Sequence, residues 1–506
     1  MSVVTAVDTP LSYGKTSSFY YNLNYKGVLD YKRSFGKHDI AAFAFSHFQN
    51  LVTPTEVFPY KRVNTGLELA YAYNGRYLVK YDLGYSGSDQ YSRKKRFTPV
   101  QAVAVGWVVS EEAFAGDLSW LSLLKLRASY GQAANDQCGL GRYTYLDNIS
   151  LTSGYAYEGQ IANPNLMPEI SVRQNYGIDL SLWGNISFSA DIFREKINNM
   201  ICGGISVTPL YQGVPLDNFP KVNNGLFENK GYELAADYIK TVNRRFSFHL
   251  GGWLAHTENR IIFSDESERA EDYAWRKWEE GYPVGQQFGY LTDRHNGNGY
   301  FNSAEELIGS GLLYEIGTPR VGDLKYYDLN NDGIINEKDK APIGFGSQPL
   351  YTYAFHAGAT FGNFDLNVMF QGVGGLYGIL QGDGRVEYSF EGVYGTLHRN
   401  AWTEERYAKG EKITFPALST KANANHEAGE FWLENKSYLR LKNLEIGYTF
   451  PDRAARLIGA EKVRLLLSGQ NLLTWHHLDT DDYGPEGHFM SIPVYRIYNI
   501  GLSIKF

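Results

Sequence analysis

The sequence predicts an all-β protein, an antiparallel up-and-down transmembrane β-barrel seen in part, and three observations lead there. The first is composition. The 506 residues include 39 Tyr, 28 Phe and 9 Trp beside 53 Gly, and only 20% are charged. Barrels need such a supply of rings because aromatic girdles sit at both bilayer interfaces. A soluble β-sandwich can share this composition. The second observation is a period-2 alternation that recurs along the chain. The third is the order of connections, which alternate between tight turns and long links.

The strands come first. Tyr176, Ile178, Leu180 and Leu182 fall on one face, and Asn175, Gly177, Asp179 and Ser181 on the other. The next strand repeats the pattern, with Ile186, Phe188, Ala190 and Ile192 opposite Ser187, Ser189 and Asp191. Leu124, Leu126, Ala128 and Tyr130 alternate with Lys125, Arg127, Ser129 and Gly131. One face suits lipid and the other suits water and charge. About fifteen strands are expected by this signal, near residues 17–29, 39–51, 65–73, 76–88, 96–110, 120–135, 171–182, 186–197, 225–240, 244–261, 349–361, 364–376, 437–450, 462–475 and 495–506.

The connections decide between sandwich and barrel. Asn74-Gly75 suits a type I′ hairpin, whose two central residues need positive φ. Trp183-Gly184-Asn185, Thr241-Val242-Asn243 and Gly362-Asn363 are similarly tight, while 136–170, 198–224, 262–348 and 377–436 are long. Long loops on one rim and short turns on the other are what an outer-membrane barrel produces. The last strand is then expected to run inward and leave the C-terminus in the periplasm. No segment approaches the roughly 18 to 20 apolar residues of a spanning helix. The formal charge of −7 argues against nucleic acid, which selects a basic face.

Four segments carry a family resemblance. Ser437–Pro451 (SYLRLKNLEIGYTFP) resembles a signature strand of SusC/RagA-like TonB-dependent outer-membrane transporters, and Lys462–Trp475 resembles the strand that follows it. Tyr495–Phe506 ends on an aromatic residue, as barrel-assembly signals do, and Gly322–Asp339 is similar to a loop of these transporters. The resemblance implies import of large nutrients, glycans or peptides, through a barrel of about 22 strands. It also implies a plug domain, a periplasmic segment that contacts TonB, and a SusD-like surface lipoprotein as lid. The opening Met1-Ser-Val-Val-Thr-Ala-Val-Asp lacks a basic segment followed by an apolar core. With an odd strand count, this predicts that residues 1–506 are the C-terminal part of such a barrel. The signal peptide, plug and first strands would lie outside the chain, which alone would transport nothing. The competing expectations are a passive porin-like channel and a soluble, calcium-stabilised carbohydrate-binding β-protein.

One segment predicts a metal site. Asp328, Asn330, Asp332, Asn336 and Asp339 stand at positions 1, 3, 5, 9 and 12 of an EF-hand-like loop, with Gly333 at 6 and the Ile334 carbonyl at 7. Calcium is the expected ion, as a staple for the 262–348 link. Asp at position 12 is shorter than the usual Glu, and a plain Asn/Asp/Gly turn is the alternative. Cys138 and Cys202 fall in long links; a disulfide is open to them, but two separate thiols are preferred. His476-His477 point to opposite faces of a strand, so they chelate poorly. Asp265–Glu280, with Trp275 and Trp278, reads as a helical excursion. Gly-rich 372–384 lacks the Lys-Ser/Thr ending of a phosphate-binding loop. No nucleophile–base constellation stands out, so no enzyme is expected.

Overall fold

In the computed structural model the residues described are all except 1–13, 15–17, 55–57, 139, 153, 206–212, 214, 216–217, 268–269, 276–278, 388–393 and 490. The opening segment Met1–Asp8 and Trp278 therefore lie outside the described residues. A single 15-stranded antiparallel sheet dominates, and its strands pair in chain order. They are β1 (Tyr21–Phe35), β2 (His38–Val52), β3 (Tyr60–Tyr73), β4 (Tyr77–Ser88) and β5 (Phe97–Val108). Then follow β6 (Leu121–Asn135), β7 (Glu169–Leu182), β8 (Ile186–Gly203), β9 (Lys221–Asn243) and β10 (Phe246–Phe263). The sheet closes with β11 (Tyr351–Phe361), β12 (Phe364–Gly374), β13 (Tyr438–Thr449), β14 (Lys462–His476) and β15 (Ile497–Lys505). All fifteen expected strands are present.

The links alternate as expected. Tight turns join β1–β2, β3–β4, β7–β8, β9–β10 and β11–β12, with left-handed backbone at Gly36, Asn74, Gly75, Trp183, Gly184 and Gly362. The two other links on that rim are longer: 109–120 holds a 3-10 turn (Val109–Glu111), and 450–461 holds a short helix, Asp452–Leu457. The opposite rim carries the five longest links, 136–168, 204–220, 264–350, 375–437 and 477–496. The first hairpin differs from expectation. Residues 30–38 read as a link, yet β1 runs on to Phe35 and turns at Gly36. Asp30, Lys32, Arg33 and Ser34 break the apolar alternation, so charge on an edge strand hid the pairing.

Register settles the two faces. Leu67 pairs with Leu83, Leu69 with Tyr81 and Tyr71 with Val79. Val79 and Tyr81 in turn meet Val105 and Val103 on β5. These rows of large apolar side chains are exposed, as they are along Tyr498, Ile500 and Leu502. An apolar surface of this size that no protein covers is what hydrocarbon contacts. Aromatic rings bound it. On the short-turn side Phe246 faces Phe361 at 6.2 Å and Phe364 faces Tyr448 at 4.6 Å. On the loop side Tyr232, His256 and Tyr351 form a row, with ring centroids 5.1 and 4.6 Å apart. Phe246 and His256 on β10 are ten residues apart, roughly 33 Å of strand and about 25 Å of height at the usual barrel tilt. That is the height of a membrane-spanning band.

The strands continue past it. β9 has 23 residues and β8 and β10 have 18 each, against the roughly 9 to 11 that cross a bilayer. Their upper ends stand clear of the band and support the links above. Substituting Val103→Arg, midway between Trp107 and Phe97 on the apolar face of β5, is expected to cost about 2–4 kcal/mol of folding into lipid. Ala102→Arg, one residue along on the polar face, is expected to cost far less. Equilibrium unfolding from vesicles checks the pair.

Candidate functional site

The opposite face of the sheet is polar, and its side chains meet in rows across three strands with glycine in the middle. Arg127 on β6 pairs with Gly177 on β7, and Gly177 pairs with Asp191 on β8. The guanidinium lies over that glycine: it bonds Asp191 at 2.8 and 2.9 Å and Asp179 at 2.8 and 2.9 Å. Asn175 also donates to Asp191 at 2.7 Å. A Cβ on Gly177 would stand 2.4 Å from the Asp191 carboxylate and 2.8 Å from the guanidinium carbon. The same construction recurs. Gly251 lies between Asp237 and His356, 3.3 Å apart, and Gly358 lies between His249 and Asn367. Gly447 makes room for Arg464, which holds Asp365 at 2.6 Å and Glu445 at 2.8 Å. Lys80, between Glu68 and Asp82, adds a further cluster on β3 and β4. All lie toward the short-turn rim, so the lower wall presents both signs of charge to whatever fills or crosses the lumen.

Above the wall, the links 264–350, 375–437 and 477–496 pack into one layer. Its apolar core includes Tyr290, Phe301, Leu324, Tyr326, Phe415 and Trp432. Polar pins join the links. Asn425 accepts from Leu324 N at 2.7 Å, donates to Asp323 at 2.8 Å, and its carbonyl takes the Trp432 indole N–H at 2.7 Å. Glu387 meets His426 at 2.7 Å and Ser419 N at 2.6 Å. Burial pushes the Glu387 carboxyl up, but these hydrogen bonds outweigh it and hold the group below the usual glutamate range. The cap is tied to the wall at β13: buried Arg440 is ion-paired with Glu486, and Tyr438 donates to the same carboxylate at 2.7 Å.

The 328–339 loop sits in this cap. Asn331 and Gly333 are left-handed, with φ of 58° and 81°. Asp328 accepts from Asp332 N at 3.2 Å and Gly333 N at 2.8 Å, and Asp332 accepts from Ile334 N at 2.9 Å. Asn336 caps a 3-10 turn, Glu337–Asp339. Asp339 is fully buried and takes Leu329 N at 2.8 Å and Asn336 N at 2.9 Å. Burial pushes its carboxyl above the usual aspartate range, and neighbouring Asp328 pushes the same way. Among the described residues no group of three or more His, Cys, Asp or Glu side chains is gathered to hold a metal. The chain curls as a calcium loop does, while its carboxylates grip backbone amides.

No protein-family model matches the chain. Among curated proteins, TonB-dependent receptor P3 of Formosa agariphila is 26% identical over 475 residues, covering 86% of this chain and 44% of that protein. TonB-dependent receptor SusC of Bacteroides thetaiotaomicron is 22% identical over 502 residues, covering 88% of this chain and 47% of SusC. The solved structure of the RagAB peptide transporter superposes with a TM-score of 0.72 at 19% identity, over 96% of this chain and 55% of that one. The chain is a relative of the SusC/RagA-like TonB-dependent receptors. It spans about half the length of the curated relatives it matches.

The resemblance segments map onto this SusC/RagA-like fold as whole elements: Ser437–Pro451 covers β13, Lys462–Trp475 covers β14, Tyr495–Phe506 covers β15, and Gly322–Asp339 is cap. Other expectations need placing. Cys138 and Cys202 are both free thiols; Cys202 lies not in a link but in β8, which extends to Gly203. The stretch 265–280 is no helix among its described residues, and Trp275 is exposed there. Its charges anchor it instead, as where Asp272 pairs with Lys338 beside the 328–339 loop. His476 ends β14 and lies near Asp481. The cap core went unread because links carry no periodicity, although their density of Tyr, Trp and Phe was a visible signal.

Gly177→Ala tests the wall. Alanine in a strand gains about 0.5–1 kcal/mol over glycine, but crowding the Arg127 bonds costs about 1.5–3. A net loss is expected in chemical unfolding. At Gly27, where an added Cβ meets nothing within 4 Å, the same change is expected to be neutral or stabilising.

Proposed function

We propose that this chain is wall and surface cap of an outer-membrane importer that draws large nutrients, glycans or peptides, inward by TonB-dependent transport. The observation that carries the reading is the one-sided construction. A lipid-faced sheet has a charged inner wall, and the links 264–350, 375–437 and 477–496 are gathered above one rim into a shared core. On this reading the capped rim faces outside and the C-terminus is periplasmic. A SusD-like surface lipoprotein lids the cap. The exposed hairpin formed by 149–152 and 155–158, with Leu151 and Tyr155 in solvent, offers such a lid apolar surface. No catalysis is involved.

The chain is read as the C-terminal part of the working barrel and as inactive alone. Among the described residues β1 and β15 each pair on one side only, and a bare edge in hydrocarbon costs several kcal/mol for each unsatisfied group. Further strands, a plug and a TonB-contacting segment complete the machine in this reading. The test is uptake of labelled oligosaccharides and peptides by cells carrying the intact transporter. Uptake is expected to stop when the proton gradient is collapsed. Uptake that persists would favour a passive channel. Recovery of this chain as a monodisperse protein without detergent would favour a soluble β-protein.

We further propose that calcium staples the cap at Asp328, Asn330, Asp332, Asn336, Asp339 and the Ile334 carbonyl. The donors are oxygens, and buried Asp339 has only amide partners beside a like charge, so a divalent cation would relieve it. The sign is definite. Because the folded state favours the protonated acid, metal-free stability falls as pH rises from the ordinary aspartate value through the raised one. Calcium affinity rises over the same window. Calcorimetric titration checks this, and Asp328→Ala is expected to lower affinity by on the order of 100-fold. Equal heats with and without that carboxylate would leave the loop a plain turn.

A further inference from the structure

Below the upper aromatic row, the outward positions of β8–β10 are apolar, as at Phe188, Leu234 and Leu254. Two residues above Tyr232 and His256 this changes abruptly. Arg194 and Lys196 on β8 pair in register with Lys230 and Glu228 on β9, which pair with Glu258 and Arg260 on β10. All six alternate with inward residues, so they face outward. Arg194 holds Glu228 at 2.6 Å and Lys230 lies 3.5 Å from Glu258, leaving two cations in excess. Beside them the turn at Pro283-Val284, fixed by a 2.7 Å bond from Val284 N to Asn259, and the segment 345–350 border a groove of about 880 Å³ that also includes Arg260 and Ile262. Ile262, Val284 and Phe345 are 45%, 43% and 53% exposed there.

We propose that this outer-wall groove binds a phosphate-bearing lipid of the outer leaflet, its head group on Lys230 and Arg260 and an acyl chain along Ile262, Val284 and Phe345. Height selects the occupant. Two residues of strand put Lys230 roughly 5 Å above the aromatic interface and four put Arg260 roughly 10 Å above it, across the head-group layer and its outer edge. The patch is continuous with the lipid-facing band. Glu228 and Glu258 also line the groove, but Arg194 and Lys230 hold them, so the ladder's two surplus positive charges, Arg260 at the groove and Lys196 beside it, complement phosphate. A flat ladder of paired Lys and Glu makes a poor protein-binding centre, which draws instead on buried aromatic anchors. The proposal rests on the reading of the sheet as a membrane wall.

The test uses the intact transporter extracted from membranes in nonionic detergent, with lipid phosphate per protein measured after organic extraction and by native mass spectrometry. Wild type is expected to retain a phosphate-bearing lipid. The double variant Lys230→Glu, Arg260→Glu is expected to lose it by on the order of tenfold, with heat-modifiable gel migration unchanged. Lys230→Arg, Arg260→Lys is expected to retain it. If the Glu variant does not fold, Lys230→Ala with Arg260→Ala takes its place. Equal retention by wild type and variant, or no phosphate lipid on wild type, overturns the proposal. Full displacement by inorganic phosphate would show an anion site rather than a lipid site and overturn it too. Failure of the membrane reading itself would look different, because the protein would then appear in the soluble fraction.

Discussion

Every peptide group in the wall has to be bonded inside the sheet, since hydrocarbon offers neither donor nor acceptor. The rest of the structure follows from meeting that condition with antiparallel neighbours. In-order pairing leaves two kinds of link, and the chain can put length only on a rim that water reaches. The links 264–350, 375–437 and 477–496 share one side because alternate links of an in-order antiparallel sheet fall on the same rim. Once gathered there, their Tyr, Trp and Phe side chains bury one another. Among the described residues the most deeply buried large apolar side chains thus lie above the wall: Tyr290, Phe301 and Leu324 are fully buried, while the strands keep large apolar side chains exposed.

The polar face obeys a second constraint. Charged side chains on neighbouring strands stand about 5 Å apart and must reach one another over whatever lies between them. Glycine at Gly177, Gly251 and Gly447 lets Arg127, His356 and Arg464 lie flat across a strand and find a partner on the far side. The strand gives up some local preference for extended structure at those positions. It gains a wall whose charges are mutually satisfied and held in place. Opposite-sign pairs also leave no strong single-sign field along this face.

The wall was legible in the sequence because its two environments differ so sharply. Leu124–Tyr130 and Tyr176–Leu182 alternate cleanly, since lipid and lumen demand opposite chemistry of adjacent residues. Legibility failed where one demand was absent. At Asp30–Phe35 an edge strand carries charge on both faces, and the hairpin at Gly36 went unseen. At Cys202 the strand continues above the membrane, where alternation is no longer enforced. The stretch 265–280 mixes charge with Trp in a way that suits a helix, but its side chains are used in local caps such as Ser264 N to Glu280. The 328–339 loop was legible in outline, because Asn331 and Gly333 at left-handed positions are a backbone requirement that sequence records directly. Whether its carboxylates face a cation was not, because the same side chains can cap amides.

The cap bears on how such a wall could open. Its three links do not pack separately: Asn425 of one link binds Leu324 and Asp323 of another, and Tyr483 of the third is ion-dipole paired with Glu434. Hinging one link alone would leave the side-chain amide of Asn425, a residue 1% exposed, without its partners Leu324 N and Asp323, at a cost of about 1–3 kcal/mol. The low-cost motion is of the cap as a body, about the short junctions by which it joins β10–β15. Arg440 and Glu486 span one such junction. Arg440 is 4% exposed and its carboxylate partner 42%, so the buried cation depends on the cap staying seated. A ligand that displaced Glu486 would strand Arg440 and favour an anionic replacement. The seam between cap and wall therefore holds a buried cation whose counter-charge belongs to the cap.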